Sequence, residues 1–407
     1  MTSTVFDERN DNQAGAPVFG LVLRLLSANW TWGRLTLVLP DGTRRQLRGE
    51  EPGHVAVMTI RSYRFAARVL KGGDIGFAEG YMTGEWDTPD LAVLLETLVN
   101  NYDHIRRLFD GNPLMNVVNW FGHRLNRNSR QGARRNIHAH YDLGNGFYGA
   151  WLDPSMTYSS ARFERPGQSL QDAQRAKYAS LARLMDLQPG HSVLEIGCGW
   201  GGFAEFAARE VGAVVTGVTI SREQHDHARR RLFEAGLADR AEIRLIDYRD
   251  VEGRFDRVAS IEMFEAVGRE FWPTYFQKVH DVLEPGGHAG LQIITIQDDL
   301  FDDYDARTDF IQKYVFPGGS LPAEARIAPV IARAGLSEAG VERFGGDYAD
   351  TLAEWARRFE AAWGDILRNE AGFDERFRRL WRFYLAYCEA GFRSGRTDVI
   401  QMSLNRA

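Results

Sequence analysis

The sequence predicts an α/β protein: a doubly wound, mostly parallel sheet with helices on both faces, a smaller N-terminal domain ahead of it and helical additions after it. Short apolar runs, SVLEIG (192–197), AVVTGVTI (213–220), AEIRLID (241–247), FDRVASIEM (255–263) and HAGLQIITI (288–296), alternate with helical stretches such as SREQHDHARRRLFEAG (221–236). That alternation is the pattern of parallel strands joined by crossover helices. The first run opens directly into a glycine turn, Gly197, Gly199 and Gly202, in G-x-G-x-x-G spacing. At 407 residues the chain is also too long for one small domain.

Taken in order, residues 1–110 read as the first unit. In PVFGLVLRLLSANW (17–30), Val18, Leu21, Val22, Leu25 and Leu26 fall on one helical stripe, which suits either a helix packed on a core or an interfacial helix. GRLTLVLPDG (33–42) reads as a strand entering a tight turn. GFAEGYMTGEWDTPDL (76–91) reads as glycine turns leading to an N-cap at Asp90 and a leucine-rich helix. Residues 111–135 read as a basic linker. Arg106, Arg107, Arg124, Arg127, Arg130, Arg134 and Arg135 face only Asp110 in that neighbourhood, and Trp120 and Phe121 sit among them. A solvated connector and a site for anionic lipid headgroups both fit this run; no nucleic-acid-binding signature accompanies it. Residues 136–407 carry the alternating pattern, then a polar and aromatic insertion after 296, then two amphipathic helices. One presents Leu352, Trp355, Phe359 and Trp363; the other presents Phe377, Leu380, Trp381, Tyr384, Leu385 and Cys388.

Composition narrows the class. Hydrophobic residues at 44% and charged residues at 26% belong to a folded chain with a sizeable core. A net charge of −6 argues against a globally basic nucleic-acid binder. Two cysteines supply neither a disulfide framework nor a thiolate zinc site, so no metal is expected and a reducing cytoplasm fits. The polar start MTSTVFDERNDNQ has no signal-peptide character, and no apolar run reaches the length of a membrane span.

The glycine turn alone is shared by dinucleotide enzymes and S-adenosylmethionine (SAM) methyltransferases. A dinucleotide site wants a carboxylate at the end of the second strand to hold the ribose. Here that strand ends Val218-Thr219-Ile220-Ser221, whereas Glu195 lies just before the first glycine, in reach of a cationic amino-acid ligand. This favours SAM.

Several motifs in order then make the pattern specific: EIGCGWGG, GVTIS-x-E-Q, DYRD and MFEAVG, with AHYDLGNGFYGAWLDPSMTYSSARF upstream and KYVFPGGSLP, RFGGDYADTL and FYLAYCEAGF downstream. The chain resembles the cyclopropane fatty acid synthase family, including the mycolic acid cyclopropane synthases, strongly over about 136–395. The resemblance implies a Rossmann-like class I SAM methyltransferase fold. It implies that Tyr158 and Ser159 hold the amino-acid end of SAM, with Gly197 and Gly199 beneath it. Thr219 and Gln224 would face the ribose, Asp247 and Tyr248 the adenine, and Ile261 would line the pocket.

The family transfers the SAM methyl to a double bond of a phospholipid acyl chain, and proton loss from the resulting carbocation decides the product. In the family a bound bicarbonate is the base, held by a cysteine backbone, a Glu, a His, a nearby backbone amide and a Tyr. The resemblance maps this set onto Ser160, Glu265, Gln292 and Tyr348, so Ser160 replaces the cysteine and Gln292 the histidine. Ala266 replaces a second histidine of MFEHVG, and Cys388 aligns with a cysteine suspected of catalysis, although its apolar stripe suits a buried thiol. Glutamine can hold an anion but cannot carry a proton at neutral pH. The departures leave SAM binding untouched and point toward a methylated, branched or unsaturated chain, with a cyclopropane as the alternative. A non-catalytic lipid-binding protein with a vestigial SAM pocket is the alternative of another class. The expected partner is unsaturated phospholipid, reached from the cytoplasm at the inner membrane surface; a homodimer is left open.

Overall fold

The computed structural model describes residues 16–102, 143–370 and 372–407. The arginines at 106–135 lie outside the described residues, as do the side chains of Val18, Leu21 and Leu25. The chain divides into two compact units, the first formed by residues up to 122 together with 372–394, the second by 123–371 and 395–407.

In the first unit, α1 (Ala16–Ala28) buries Phe19 and Val22, with the Phe19 ring 5.2 Å from Tyr63 and 5.9 Å from Phe65. Of the predicted stripe, Val22 faces a core. The strands β1 (Trp32–Val38), β2 (Arg44–Arg48), β3 (Glu51–Ile60) and β4 (Trp86–Asp87) form a sheet in the order β2-β1-β3-β4. Between β3 and β4 runs α2 (Arg64–Met82), kinked at Gly73. The glycines at 76 and 80 lie inside this helix rather than in turns. A Cβ at Gly76 would sit 2.1 Å from the Arg68 carbonyl oxygen, and one at Gly80 3.1 Å from the Trp86 ring. They are there for close approach, not for turning the chain. The helix α3 (Leu91–Asn100) starts where expected, with Asp90 accepting the Val93 amide at 3.0 Å. The helix Glu375–Arg393 packs in this unit although it follows the α/β sheet's helices in sequence: Phe383 lies 6.4, 5.9 and 6.5 Å from the rings of Phe77, Tyr81 and Trp86.

The second unit holds a seven-stranded sheet of order β10-β11-β9-β8-β5-β6-β7. Its parallel strands are β5 (Ser192–Ile196), β6 (Val214–Thr219), β7 (Ala241–Leu245), β8 (Phe255–Ile261) and β9 (Leu283–Ile296), close to the apolar runs. Two further strands, β10 (Leu336–Arg343) and β11 (Thr397–Arg406), join antiparallel at one end. On one face α4 (Leu170–Leu184), α5 (Gly202–Phe206) and α6 (Arg222–Glu234) pack Leu181, Phe203, Ala228 and Leu232 against Val193 and Val215. Elsewhere α7 (Trp272–Val282) and α8 (Glu324–Arg333) pack Phe276, Val279 and Ile327 with Val258, Leu291 and Met402 in a separate core. The sheet is therefore doubly wound, as the alternation predicts. Finally α9 (Gly345–Asn369) buries Tyr348, Leu352, Trp355, Phe359 and Trp363 along one face.

Candidate active site

The cofactor half is assembled at the carboxyl ends of β5 and β6. Gly197 and Gly199 have φ of +79° and +51°, conformations that glycine adopts without steric cost. The amides of Gly197 and Cys198 both donate to the Val218 carbonyl, at 3.0 and 3.1 Å, which ties the turn to β6. A Cβ at Gly197 would lie 2.6 Å from Met263 Cγ, so the turn is tucked under the end of β8. Glu195 is buried, and its Oε2 has no hydrogen-bond partner. Burial pushes its carboxyl up to about 8 against the pull of Lys177. An orphaned buried carboxyl oxygen beside a glycine turn fits a ligand ammonium group.

Around this turn the Thr219 hydroxyl lies 2.9 Å from Gln224 Oε1, both residues are buried, and Ser221 caps α6 by accepting the Gln224 amide. Asp247 forms a two-pronged ion pair with Arg249, at 2.8 and 2.6 Å, which holds the start of the short helix carrying Tyr248. Tyr248 packs 5.6 Å from Tyr275, and Ile261 is half-buried at the end of β8. Ser159 accepts from Lys177 Nζ at 2.6 Å through its hydroxyl and from Gln174 at 2.9 Å through its carbonyl. Lys177 is fully buried, and burial lowers its ammonium to about 8 against the opposing pull of Glu262, Asp153 and Glu195. Tyr158 sits in an aromatic wall, its ring 5.3 Å from Tyr148, 5.7 Å from Trp151 and 5.2 Å from Trp355. The wall reaches Tyr348, whose ring stands edge-on to Trp355 at 6.1 Å.

The second half of the site centres on Glu262, the residue immediately after β8. Its Oε1 accepts from the Ser160 backbone amide at 2.8 Å and from Gln292 Nε2 at 2.7 Å. Its Oε2 accepts from the Tyr348 hydroxyl at 2.8 Å. The Glu262 backbone amide is itself held by the Gln292 carbonyl at 2.8 Å. Burial raises the Glu262 carboxyl above its ordinary value, opposed by Lys177 and by these donors. Glu265 lies on the following turn, accepting the Ile294 amide with Oε1 and leaving Oε2 buried without a partner. Burial, and then the charge of Glu262, push Glu265 up to about 8. The charge on either carboxyl raises the other, so the two titrate as a pair.

A family model described as mycolic acid cyclopropane synthetase matches residues 128–402. The chain belongs to that family. Along with other members it is a SAM-dependent methyltransferase. It is 39% identical over 395 residues, 94% of this chain and 90% of the other, to tuberculostearic acid methyltransferase UfaA1 of Mycobacterium tuberculosis. It is 36% identical over 382 residues, 92% of this chain and 94% of the other, to the cyclopropane-fatty-acyl-phospholipid synthase of Escherichia coli. Among solved structures, the mycolic acid cyclopropane synthase CmaA1 complexed with SAH and CTAB superposes with a TM-score of 0.62 at 30% identity, covering 67% of this chain and 98% of that one.

Within this cyclopropane-synthase framework the structure brings together Ser159, Ser160, Glu265, Gln292 and Tyr348 from widely separated parts of the sequence. Ser160 contributes its backbone amide, while its hydroxyl turns to the Ala161 carbonyl. Ala266 is exposed. Cys388 is half-buried on the Glu375–Arg393 helix of the first unit, whereas every residue of the two halves above belongs to the second. Sequence reasoning missed Glu262, Lys177 and Gln401. A signal for Glu262 was present: a second acid at the carboxyl end of a parallel strand, where α/β sheets place their chemistry.

Proposed function

We propose that this protein methylates the double bond of unsaturated phospholipid acyl chains with Glu262 as the base, giving a methylated unsaturated chain. The observation that carries the reading is the position of the Glu262 carboxylate. It takes up the Ser160 amide, Gln292 and Tyr348, three of the groups the family resemblance assigns to bicarbonate. With those donors engaged by a side chain, the residues present do not fit a bound bicarbonate.

When bound, SAM supplies an electrophilic methyl on a sulfonium. The chain's residues do the rest. Glu195 receives the ligand's ammonium, and Thr219 and Gln224 offer hydroxyl and amide groups to a ribose. The wall of Tyr148, Trp151, Tyr158 and Trp355 excludes water and presents π faces to a positive charge. Transfer makes a carbon–carbon bond from the alkene π pair as the methyl–sulfur bond breaks with its pair left on sulfur, and leaves a cation on the neighbouring acyl carbon. Closing a ring requires immediate removal of a proton from the new methyl group. Glu262 has both oxygens held by donors, one of which must be given up before a proton can be taken, and this slows it as a base. The cation then persists long enough for a hydride to shift onto it, which makes a tertiary cation on the methylated carbon. Loss of a proton to Glu262 gives the methylated alkene. The similarity to tuberculostearic acid methyltransferase over 94% of the chain supports the same outcome.

Acyl chains reside in bilayers, so the enzyme works as a peripheral protein at the membrane surface on the cytoplasmic side; no helix among the described residues is long and apolar enough to cross a membrane. The test is expression in a host rich in monounsaturated phospholipids, followed by mass spectrometry of the acyl chains. Both candidate products add one CH₂, so mild catalytic hydrogenation separates them: the expected product takes up hydrogen. Resistance to hydrogenation together with upfield cyclopropane protons by NMR would overturn the reading in favour of ring closure.

A further inference from the structure

Gln401 lies on β11 directly opposite Gln292 on β9 in the antiparallel register, and both side chains are fully buried. The two ends of a primary amide have nearly the same shape, so only the neighbours decide which way it points. Here the neighbours are decisive. The Lys177 carbonyl can only accept, so Gln401 must turn its NH₂ toward it, at 3.1 Å. The same nitrogen lies 3.0 Å from Gln292, so the Gln292 atom facing it must be Oε1. Gln292 is thereby obliged to send its own NH₂ the other way, to Glu262 Oε1 at 2.7 Å and the Ser160 carbonyl at 3.5 Å. With the Ser160 amide added, Oε1 of Glu262 accepts from two N–H donors and has no room for a proton of its own. Gln401 Oε1 has no partner, an unfavourable feature for a buried amide, which identifies the donor end as the useful one.

We infer that Gln401 is a positioning residue for Glu262: acting through Gln292, it fixes Oε1 as the acceptor and reserves Oε2, the oxygen facing Tyr348, for the proton. This rests on Glu262 being the base. Without the Gln401 donor, the Gln292 amide is free to rotate and present its oxygen to the carboxylate, replacing attraction by repulsion. The other titratable groups facing Glu262 are Lys177 from α4, Glu265 from its own loop and Tyr348 from α9. Gln401 bonds none of their charged ends; its link to Lys177 is through the main-chain carbonyl.

The test uses the full chain with Gln401→Leu, and Gln401→Met as a companion that keeps the chain length. Glu262 is titrated by NMR with ¹³C-carboxyl glutamate, and kcat and KM are measured against pH. The Glu262 titration and the acid limb of kcat should both move up by about one pH unit, with kcat at a pH below that limb down about tenfold and KM for SAM within about twofold. In a Gln292→Leu background Gln401→Leu should add no further shift. An unmoved titration, or the same shift in both backgrounds, overturns the inference. A shifted titration alongside full activity of Glu262→Gln would instead remove the base reading and leave the positioning role standing.

Discussion

A carboxylate that accepts two N–H donors on one oxygen and a hydroxyl on the other can be exchanged for its amide with little change of shape, so Glu262→Gln isolates the loss of basicity. It should lower kcat by about 10²–10⁴-fold, the usual contribution of a positioned base, and leave SAM affinity unchanged by calorimetry. The pH dependence has a definite sign. A base must be ionised, and burial raises the Glu262 carboxyl above the ordinary 4.5, so kcat should fall as pH drops through that raised value. Glu262→Gly goes further, vacating the space beside the Ser160 amide, Gln292 and Tyr348. It should be inactive until formate or bicarbonate is added; failure of any small anion to restore turnover would argue that the carboxylate only braces the loop. Glu195→Ala should weaken SAM binding by about 1.5–3 kcal/mol, the worth of a charge-assisted hydrogen bond. The sequence made Glu195 legible because it abuts the glycine turn. Glu262 was hidden because it holds φ +49°, a conformation that favours glycine, and because the family pattern drew attention to Glu265 instead. A non-glycine residue kept in that conformation costs about 1–2 kcal/mol, consistent with a side chain retained for its chemistry.

At the level of elements, the parallel strands were readable because most are apolar on both faces and bounded by turns, a pattern that burial between helices imposes, while β7 at the sheet edge alternates, with Glu242 and Arg244 exposed. The antiparallel pair was not. Most of β10 is exposed or half-buried, with little apolar alternation, and β11 carries Gln401 and Ser403 in a fully buried stretch, so its polar residues disguise a central strand. The misread glycines of α2 teach a related point. Composition marked a turn, but the reason for Gly76 is a carbonyl oxygen 2.1 Å from where its Cβ would be. Gly72 in the same helix has nothing within 4 Å of its Cβ position. Alanine should therefore act oppositely at the two sites. Gly72→Ala should stabilise by about 0.4–1 kcal/mol by narrowing the unfolded ensemble, and Gly76→Ala should destabilise by about 1–3 kcal/mol through overpacking, both read from the urea midpoint. Equal effects would mean that the approach of Arg68 to Gly76 is not tight.

Over the whole molecule, the first unit is built from two segments far apart in sequence, residues up to 122 and 372–394. The contacts of Phe383 and Arg379 in it cannot form until the second segment has left the ribosome, so part of its stability depends on a long-range closure. The family match begins at residue 128, which invites a truncation that keeps the matched region alone. Such a chain retains every residue of the candidate active site but strips the Glu375–Arg393 helix of its partners. Phe383 loses the rings of Phe77, Tyr81 and Trp86. Arg379 loses the Tyr81 ring, 4.0 Å from its guanidinium carbon, and the Tyr81 and Trp86 carbonyls that accept from it. An aromatic helix face exposed in this way is a recipe for association. The chain starting at 128 should therefore elute as aggregates and bind a hydrophobic dye. The full chain carrying Phe383→Ala should stay soluble, lose about 3–5 kcal/mol of first-unit stability and bind SAM as before, since the residues proposed to hold SAM belong to the second unit. A monodisperse truncated chain that unfolds cooperatively would show that the helix does not need its first-unit partners, and that the packing of Phe383 adds little to holding this fold together.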